Sequence, residues 1–227
     1  MVPPADLLTA PWGLLPCFSD RLVSVSPSIA QWVRAKRRLG VGPDAHVALV
    51  TGPGLTTRET EVTSLSRIHR RAKVLRPGEA TVAATLRVVD GASLAHIAAH
   101  GTFRGDAPLF SALHLADGPL TVHDLLGLQR SPGAIVLSAC DSGGAAPIGP
   151  FEALGLVSSL LGMGTATVLA SVVPVNDAAC LGVMRDVHTA VARDSSTLSE
   201  GWLAARRGAA DDELARATAA SFTAWGA

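Results

Sequence analysis

The chain has 227 residues, of which 48% are hydrophobic and only 17% are charged. This composition excludes a disordered chain, and the length is enough for one α/β domain with a sizeable core. Nineteen basic residues balance nineteen acidic ones, so the charge gives no sign of a nucleic-acid partner or of a membrane surface.

Three cysteines, at positions 17, 140 and 180, are too few and too widely spaced for a disulfide framework or a zinc cluster. The first residues lack the basic segment and apolar core of a signal peptide, and no apolar run reaches the roughly 20 residues of a membrane-spanning helix. We therefore expect a cytoplasmic protein in a reducing setting, with no metal and no cofactor.

Continuous apolar runs predict buried strands, and helical spacing fills the stretches between them. The predicted strands are 22–25, 46–51, 94–99, 135–139 and 167–173, with a short one at 74–75. The predicted helices with clear bounds are 58–71, 82–89 and 121–128. Four further helices are predicted from inward residues at helical spacing: Leu154, Val157 and Leu161; Leu181, Met184 and Val191; Leu198, Trp202 and Ala205; and Leu214, Ser221 and Trp225. This alternation is typical of a mostly parallel, doubly wound sheet.

Two residues stand where predicted strands stop and small residues follow. His100 ends the run from Ser93 and precedes Gly101, whereas Cys140 ends the run from Ala134 and precedes Asp141. The carboxyl ends of parallel strands are where open α/β folds place their chemistry. An imidazole and a thiol at that edge are the two parts of a cysteine nucleophile and its base.

Several sequence motifs match one family. They are Pro11-Trp12, Ser26-Pro27-Ser28, Thr51-Gly52-Pro53-Gly54-Leu55, Glu61-Val62, His96-Ile-Ala-Ala-His100-Gly101-Thr-Phe103, Pro108-Leu-Phe-Ser111, Leu137-Ser-Ala-Cys140-Asp-Ser-Gly143 and Ser171-Val-Val-Pro174-Val175-Asn-Asp177. With these motifs the chain resembles the CHAT domain, a bacterial caspase-like module related to separases. The His-Gly pair and the Ser-Ala-Cys-Asp-Ser-Gly block are the most specific of them.

The resemblance implies a single domain over 1–227, with a caspase-like three-layer α-β-α sandwich around a mostly parallel central sheet. It also implies a dyad that cuts peptide bonds, with His100 as general base and Cys140 as nucleophile. The N–H groups of Gly101 and Cys140 form the implied oxyanion hole. The chain departs from the family pattern at Gly149-Pro150-Phe151-Glu152, where an acidic pair is usual, and at Val173, where a tryptophan is common.

Two aspartates are candidates for the substrate pocket. In separases the aspartate that matches Asp177 lines the pocket for an arginine side chain, so the resemblance implies a basic residue before the cleaved bond. The alternative role of Asp177 is to cap the amino end of the helix that follows it. Asp141 is the second pocket candidate, and its alternative role is to open a turn.

Other polar residues have simpler interpretations. His96 shares a strand face with His100, and we expect it to pack near the core with a hydrogen bond to backbone. Two histidines four residues apart on a strand are too far apart to bind one metal ion, so we expect no metal site here. His114 and His123 are expected to be exposed, and Cys17 and Cys180 to be packing residues. Ser111 either bonds the active-site loop or caps a hairpin whose turn is Asp117-Gly118.

The leading hypothesis is a cysteine endopeptidase that acts on a protein or peptide substrate. The family implies bacterial signalling or defence, and control by a sensor module or partner protein. A separate, general expectation for an uninduced protease is that the enzyme is latent until loops around 143–149 are ordered. One alternative is a catalytically silent interaction module of the same fold. Another is a thiol-dependent acyl hydrolase or transferase, which turns over esters without cleaving peptides.

Overall fold

In a computed structural model, the chain is described for residues 1–4, 7–8, 10–38, 46–54, 56–102, 110–138, 150–173, 175–194 and 196–227. The side chains of residues 56, 150–155, 177 and 194 are not described. Cys140 and Asp141, which carry two of the sequence predictions, lie outside these ranges.

A six-stranded, mostly parallel sheet forms the centre of the molecule. Its strands are β1 (Val47–Thr51), β2 (Lys73–Leu75), β3 (Leu94–Ala98), β7 (Ala134–Leu137), β8 (Thr167–Ser171) and β9 (Phe222–Gly226), in the order β2-β1-β3-β7-β8-β9. Only β9 runs antiparallel to its neighbour. The strands are nearly continuous apolar runs because both faces of the sheet are covered.

Helices cover both faces of this sheet. They are α1 (Ile29–Lys36), α2 (Thr56–Ile68), α3 (Val82–Val89), α4 (Val122–Leu125), α5 (Pro150–Gly162), α6 (Asp177–Asp194), α7 (Leu198–Gly208) and α8 (Glu213–Ala220). One buried apolar cluster joins α3, α4 and α5 to one sheet face, through residues such as Ile97 and Leu160. A second cluster joins α2, α6, α7 and α8 to the other face, through residues such as Leu65 and Met184.

The result is the three-layer α-β-α sandwich expected from the sequence. Within the described ranges, no helix has the length and apolar character needed to cross a membrane. Alternation of side chains places Ile97 in the first cluster, whereas Leu94 and Ala98 lie in the second. His96 therefore faces α2 and α6.

A small antiparallel sheet follows β3. It contains β4 (Gly101–Thr102), β5 (Ala112–Leu115) and β6 (Gly118–Thr121). Strands β5 and β6 form the predicted hairpin, but Gly118 pairs with Leu115, so the turn residues are Ala116 and Asp117 rather than Asp117 and Gly118. The start of α4 is fixed by a capping box, in which Thr121 and Asp124 each bond the other's backbone N–H.

Three other local predictions are wrong. Residues 22–25 form no strand, and only Val25 makes an isolated bridge, to Trp225. The last predicted helix ends at Ala220, and Trp225 lies in β9 instead. At the start of α6, Asn176 rather than Asp177 is the cap, because Asn176 Oδ1 accepts the N–H of Ala179 at 3.1 Å.

Candidate active site

Strand β3 brings His100 to the carboxyl edge of the central sheet. All five residues of β3 are buried, and His100 follows two residues later, half-buried. The N–H of His114, in the neighbouring hairpin, donates to the carbonyl oxygen of His100 at 2.8 Å. The backbone of His100 is thus held between two sheets, at the strand end where the sequence predicts it.

The glycine-rich loop after β1 lies against His100. The N–H of Gly52 donates to the carbonyl oxygen of Ala98 at 2.7 Å, and a Cβ on Gly52 would come within 2.7 Å of the His114 carbonyl oxygen. Gly54 adopts a φ of +76°, and a Cβ there would lie 3.9 Å from Nε2 of His100. The loop therefore needs glycine at position 52 to approach the strand end this closely.

Strand β7, which precedes the predicted nucleophile, pairs directly with β3. The register places Ile97 opposite Leu137, and the N–H of the buried Ser138 donates to the carbonyl oxygen of Ile97 at 3.0 Å. Cys140 follows Ser138 by two residues and lies outside the described chain. The dyad and the share of Cys140 in an oxyanion hole stay predictions.

A buried ion pair lies beneath this edge. Arg58 Nη1 donates to Glu61 Oε2 at 2.8 Å and to Ser138 Oγ at 2.6 Å, and both charged side chains are almost fully buried. The hydroxyl of Ser138 also lies 3.7 Å from Sγ of Cys180 on α6. The end of β7 is therefore tied to helix α2 through the guanidinium of Arg58.

Three histidine side chains form a hydrogen-bonded row that begins at the carboxylate of Glu61. Nε2 of His96 lies 2.8 Å from Glu61 Oε1, and its Nδ1 lies 3.1 Å from Nε2 of His188. Nδ1 of His188 lies 3.0 Å from Nε2 of His69, which is half-buried at the end of α2. His96 is buried as expected, but its partners are side chains, so the predicted bond to backbone is wrong.

Burial and neighbouring charge set the ionisation of this array. Burial would raise the pKa of Glu61, but the hydrogen bond from His96, the charge of His96 and the adjacent Arg58 together hold that pKa below its ordinary value. Burial and the nearby His96 lower the pKa of His69 to about 4, and burial with both other imidazoles lowers the pKa of His188 well below 6.5. His69 and His188 are therefore neutral at physiological pH.

The remaining predicted residues are spread around the edge. Asp177 is the first residue of α6, which follows β8 at the same end of the sheet, and its side chain is not described. Ser111 is buried, and its carbonyl oxygen accepts the N–H of Val122. His114 and His123 are exposed as expected.

The two other cysteines differ from each other. Cys180 is buried as expected, but Cys17 is exposed, so the expectation that Cys17 is a packing residue is wrong. Within the described ranges no group of three or more His, Cys, Asp and Glu residues is arranged to hold a metal ion.

The sequence analysis missed Arg58, His69 and His188 and gave Glu61 no role. One signal was present in the sequence: Arg58, Glu61 and Leu65 lie at helical spacing on the inward stripe of α2, where a charged pair is unexpected. The partners of that pair come from β3, β7 and α6, so only the tertiary structure brings them together.

The mostly parallel sheet between two layers of helices gives the protein a caspase-like α/β fold. The CHAT domain family model matches residues 14–227, and the chain belongs to this family. A comparison with curated proteins finds no match.

Solved structures share the fold at low sequence identity. The separase–securin complex of Saccharomyces cerevisiae superposes with a TM-score of 0.67 at 16% identity, over 96% of this chain and 14% of that chain. Porphyromonas gingivalis RgpB, in a complex of its pro- and mature domains, superposes with a TM-score of 0.53 at 13% identity, over 86% of this chain and 51% of that chain. A further structure, described as the Arg specific cysteine proteinase gingipain R, gives 0.53 at 14% identity, over 86% of this chain and 50% of that chain. The chain thus corresponds to a seventh of the separase chain and to about half of the gingipain chains.

Proposed function

We propose that the protein is a cysteine endopeptidase in which Cys140 attacks a peptide carbonyl and His100 is the general base. The observation that carries this proposal is the pairing of β3 with β7, which sets Ile97 opposite Leu137, 40 positions apart (137 minus 97). His100 and Cys140 are separated by the same 40 positions (140 minus 100). Two adjacent, paired parallel strands thus precede His100 and Cys140 in the sequence by the same number of residues.

The reaction follows from these two groups. His100 takes the proton of the Cys140 thiol, and the thiolate forms a bond to the carbonyl carbon while the carbonyl oxygen becomes an oxyanion. The N–H groups of Gly101 and Cys140 stabilise that oxyanion. Collapse breaks the C–N bond, and His100 gives its proton to the leaving amine. Water, deprotonated by His100, then hydrolyses the thioester and releases the acid product.

The proposed substrate is a protein or peptide with a basic residue before the cleaved bond. One of the solved structures that share this fold is described as an Arg specific cysteine proteinase, which supports the choice of a basic residue. Asp177 is the first residue of α6, which begins at the same end of the sheet as His100. A carboxylate is the group that pairs with a guanidinium, so we take Asp177 as the first candidate for this contact. Asp141 is the second candidate for this contact. We expect a sensor module or partner protein to control the enzyme, as the family implies.

The test is cleavage of a mixed peptide library by the purified protein and by Cys140→Ala. We expect cleavage by the unaltered chain and its complete loss in the variant, because the proposed mechanism takes its nucleophile from the Cys140 thiol. Cys17→Ser is the matched control, since Cys17 is exposed and lies far from the predicted dyad in sequence. It should cleave at the same rate.

Three results contradict the proposal. Cleavage that survives in Cys140→Ala excludes Cys140 as the nucleophile. No cleavage, together with no reaction of Cys140 with an electrophilic thiol probe, favours the silent interaction module. Ester turnover without peptide cleavage favours the acyl hydrolase.

A further inference from the structure

A groove lies on the surface between residues 13–20, near the amino end, and helices α7 and α8. Its volume is about 580 Å³, within the range of roughly 300–1,000 Å³ that small-molecule sites in proteins occupy. Residues 13–20 contribute the apolar side chains of Leu14, Leu15 and Pro16, and both helices contribute arginines. The lining includes neither the proposed dyad nor the two candidates for the substrate pocket, so the groove has no part in the proposed reaction.

Three arginine side chains, Arg206 and Arg207 on α7 and Arg216 on α8, line this groove. Each donates a hydrogen bond to a backbone carbonyl oxygen, at 3.0 Å for Arg206, 2.8 Å for Arg207 and 3.1 Å for Arg216. A guanidinium carries five N–H donors in a fixed fork, so these bonds use only part of each group. The groove therefore brings together cationic N–H donors whose geometry matches a carboxylate.

Arg206 is the most buried of the three, with 7% of its surface exposed. Its guanidinium lies 4.8 Å from the ring centre of Trp202, and its Nη2 donates to the carbonyl oxygen of Gly13, so the group is held in place. Its other terminal nitrogen, Nη1, is buried and has no hydrogen-bond partner among the described residues. Burial lowers the pKa of Arg206, and the carboxylate of Asp20 opposes that effect only in part. A buried cationic donor without an acceptor is costly, which points to an acceptor that the described residues do not supply.

The charges that line the groove do not cancel. Asp20 and Glu213 also belong to the lining, and within the described chain neither forms an ion pair with an arginine of the groove. Three positive charges against two negative ones leave one net positive charge, which a single negative charge on a ligand would balance. Leu14 and Leu15 are 46% and 42% exposed, so apolar area in the same groove is open to a ligand as well.

We propose that the groove binds a small organic anion made of one carboxylate and an apolar part. The carboxylate pairs with Arg206, Arg207 and Arg216, and the apolar part covers the two leucines. Nη1 of Arg206 is closed to water in the unbound protein, so the carboxylate reaches it through a small rotation of the guanidinium. An inorganic phosphate fits less well, because a dianion exceeds the one net positive charge and leaves the leucines uncovered.

A purely structural role for these arginines makes different predictions. The bonds from Arg206 and Arg207 hold residues 13–20 against α7, and that role alone requires no ligand. It predicts that substitutions change stability, whereas a binding site predicts a saturable response to an added acid. Binding of defined probes therefore separates the two roles.

The first experiment titrates the protein with hexanoate and follows the arginine Nε–H signals and the indole N–H of Trp202 by NMR. Hexan-1-ol is the neutral match with the same number of carbons, and inorganic phosphate is an anion without an apolar part. We expect saturable shifts at Arg206, Arg207 and Arg216 with hexanoate, with a Kd of about 1 mM, because a ligand of this size makes few contacts. Hexan-1-ol and phosphate should each bind at least about tenfold more weakly, because each lacks one of the two matching parts.

The second experiment measures the Kd of hexanoate for variants by the same titration. Arg216→Gln removes an exposed guanidinium and should raise the Kd about 3- to 10-fold, and Arg206→Gln should raise it by at least as much, because a charge-assisted contact is lost. Glu213→Gln removes a carboxylate and should lower the Kd by about two- to threefold, because the net positive charge rises. Loss of folding cannot produce opposite changes of this kind, and circular dichroism of each variant checks the fold. Arg87→Gln, on α3 at the other face of the sheet, is the control and should match the parent.

Every outcome bears on the groove alone. Hexan-1-ol that binds as tightly as hexanoate shows that the guanidiniums take no part, which contradicts the proposal. Phosphate that binds more tightly than hexanoate contradicts the choice of a carboxylate with an apolar part. Shifts away from the three arginines, no saturable shift with any probe, or a Kd unchanged in both arginine variants overturns the site and leaves the arginines their structural role. The proposal uses no residue of the dyad, so these results do not depend on whether the protein cleaves peptides.

Discussion

The proposed preference for a basic residue before the cleaved bond can be tested by replacing one carboxylate oxygen of Asp177 with an amide nitrogen. Asp177→Asn keeps the side-chain volume and removes the negative charge at the start of α6. A charge-assisted bond to a guanidinium is worth about 1.5–3 kcal/mol, so kcat/KM for arginyl substrates should fall roughly 10- to 100-fold relative to neutral ones. The measurement is the ratio of kcat/KM for paired peptides that differ only in the residue before the cleaved bond.

Two variants control this prediction. Asp186→Asn removes an exposed carboxylate from the same helix and should leave the ratio unchanged. Asp141→Asn tests the second candidate. A loss of arginyl preference in Asp141→Asn, with the preference kept in Asp177→Asn, assigns the pocket to Asp141 instead.

At the scale of single residues, the sequence predicted where a residue lies in the fold better than it predicted which side chains that residue bonds. His100 lies at a strand end because an apolar β-branched run stops there, and that pattern is local. The interpretation of His96 was correct for burial but wrong for its bonds, because Glu61 and His188 reach it from elements 35 and 92 positions away. Local patterns report burial, whereas the identity of a polar partner depends on packing between helices.

At the scale of elements, close packing of β9 on β8 sets the requirement for glycine at position 226. Gly226 has a φ of +104°, and a Cβ there would lie 2.0 Å from the carbonyl oxygen of Ala166. Gly226→Ala must therefore move the backbone of the edge strand, and we expect it to lower the free energy of unfolding by about 2 kcal/mol or more. Urea denaturation measures the difference.

Gly182 provides the matched control. It lies inside α6, and a Cβ there meets no atom within 4 Å. Gly182→Ala should stabilise the protein by about 0.5–1 kcal/mol, because alanine loses less backbone entropy in a helix. Equal effects of the two substitutions would show that contact with Ala166 is not what constrains β9.

The same strand explains the main error in the predicted elements. Leu214, Ser221 and Trp225 have helical spacing, and α8 is indeed a helix up to Ala220. Beyond it, Phe222 and Ala224 face one core while Trp225 faces the other, which is the alternation of a strand covered on both sides. A strand buried on both faces is apolar throughout, so periodicity alone does not separate it from a continued helix.

At the scale of the whole molecule, a layer of buried polar side chains lies inside the second of the two apolar core clusters. The groups from Glu61 to His188 cross the interface between the sheet and the α2–α6 face, inside the second core cluster. The free energy of folding therefore depends on the proton balance of this layer as well as on apolar burial. We expect this dependence of the folding free energy to become measurable at acidic pH.

The pKa shifts give the sign of that dependence. The pKa of His69 falls from an ordinary value of 6.5 to about 4 on folding, and that of His188 falls as well, so these two imidazoles bind fewer protons in the folded chain than in the unfolded chain across this window. The lowered pKa of Glu61 acts in the same direction at more acidic pH. The free energy of unfolding should therefore decrease as pH falls from 6.5 toward 4, starting above the usual range of carboxylates.

Urea midpoints at pH 7.5, 6.5, 5.5 and 4.5 measure this decrease. His69→Gln removes one of the imidazoles that must stay neutral, so its midpoint should fall less steeply between pH 6.5 and 4.5 than that of the parent. His123→Gln removes an exposed imidazole and should follow the parent curve. A parent midpoint that stays constant down to pH 5, or identical slopes for His69→Gln and the parent, contradicts the burial of a neutral imidazole at position 69. A difference between the two curves isolates the acid sensitivity that originates in the polar layer, because the rest of the titrating surface is common to both proteins.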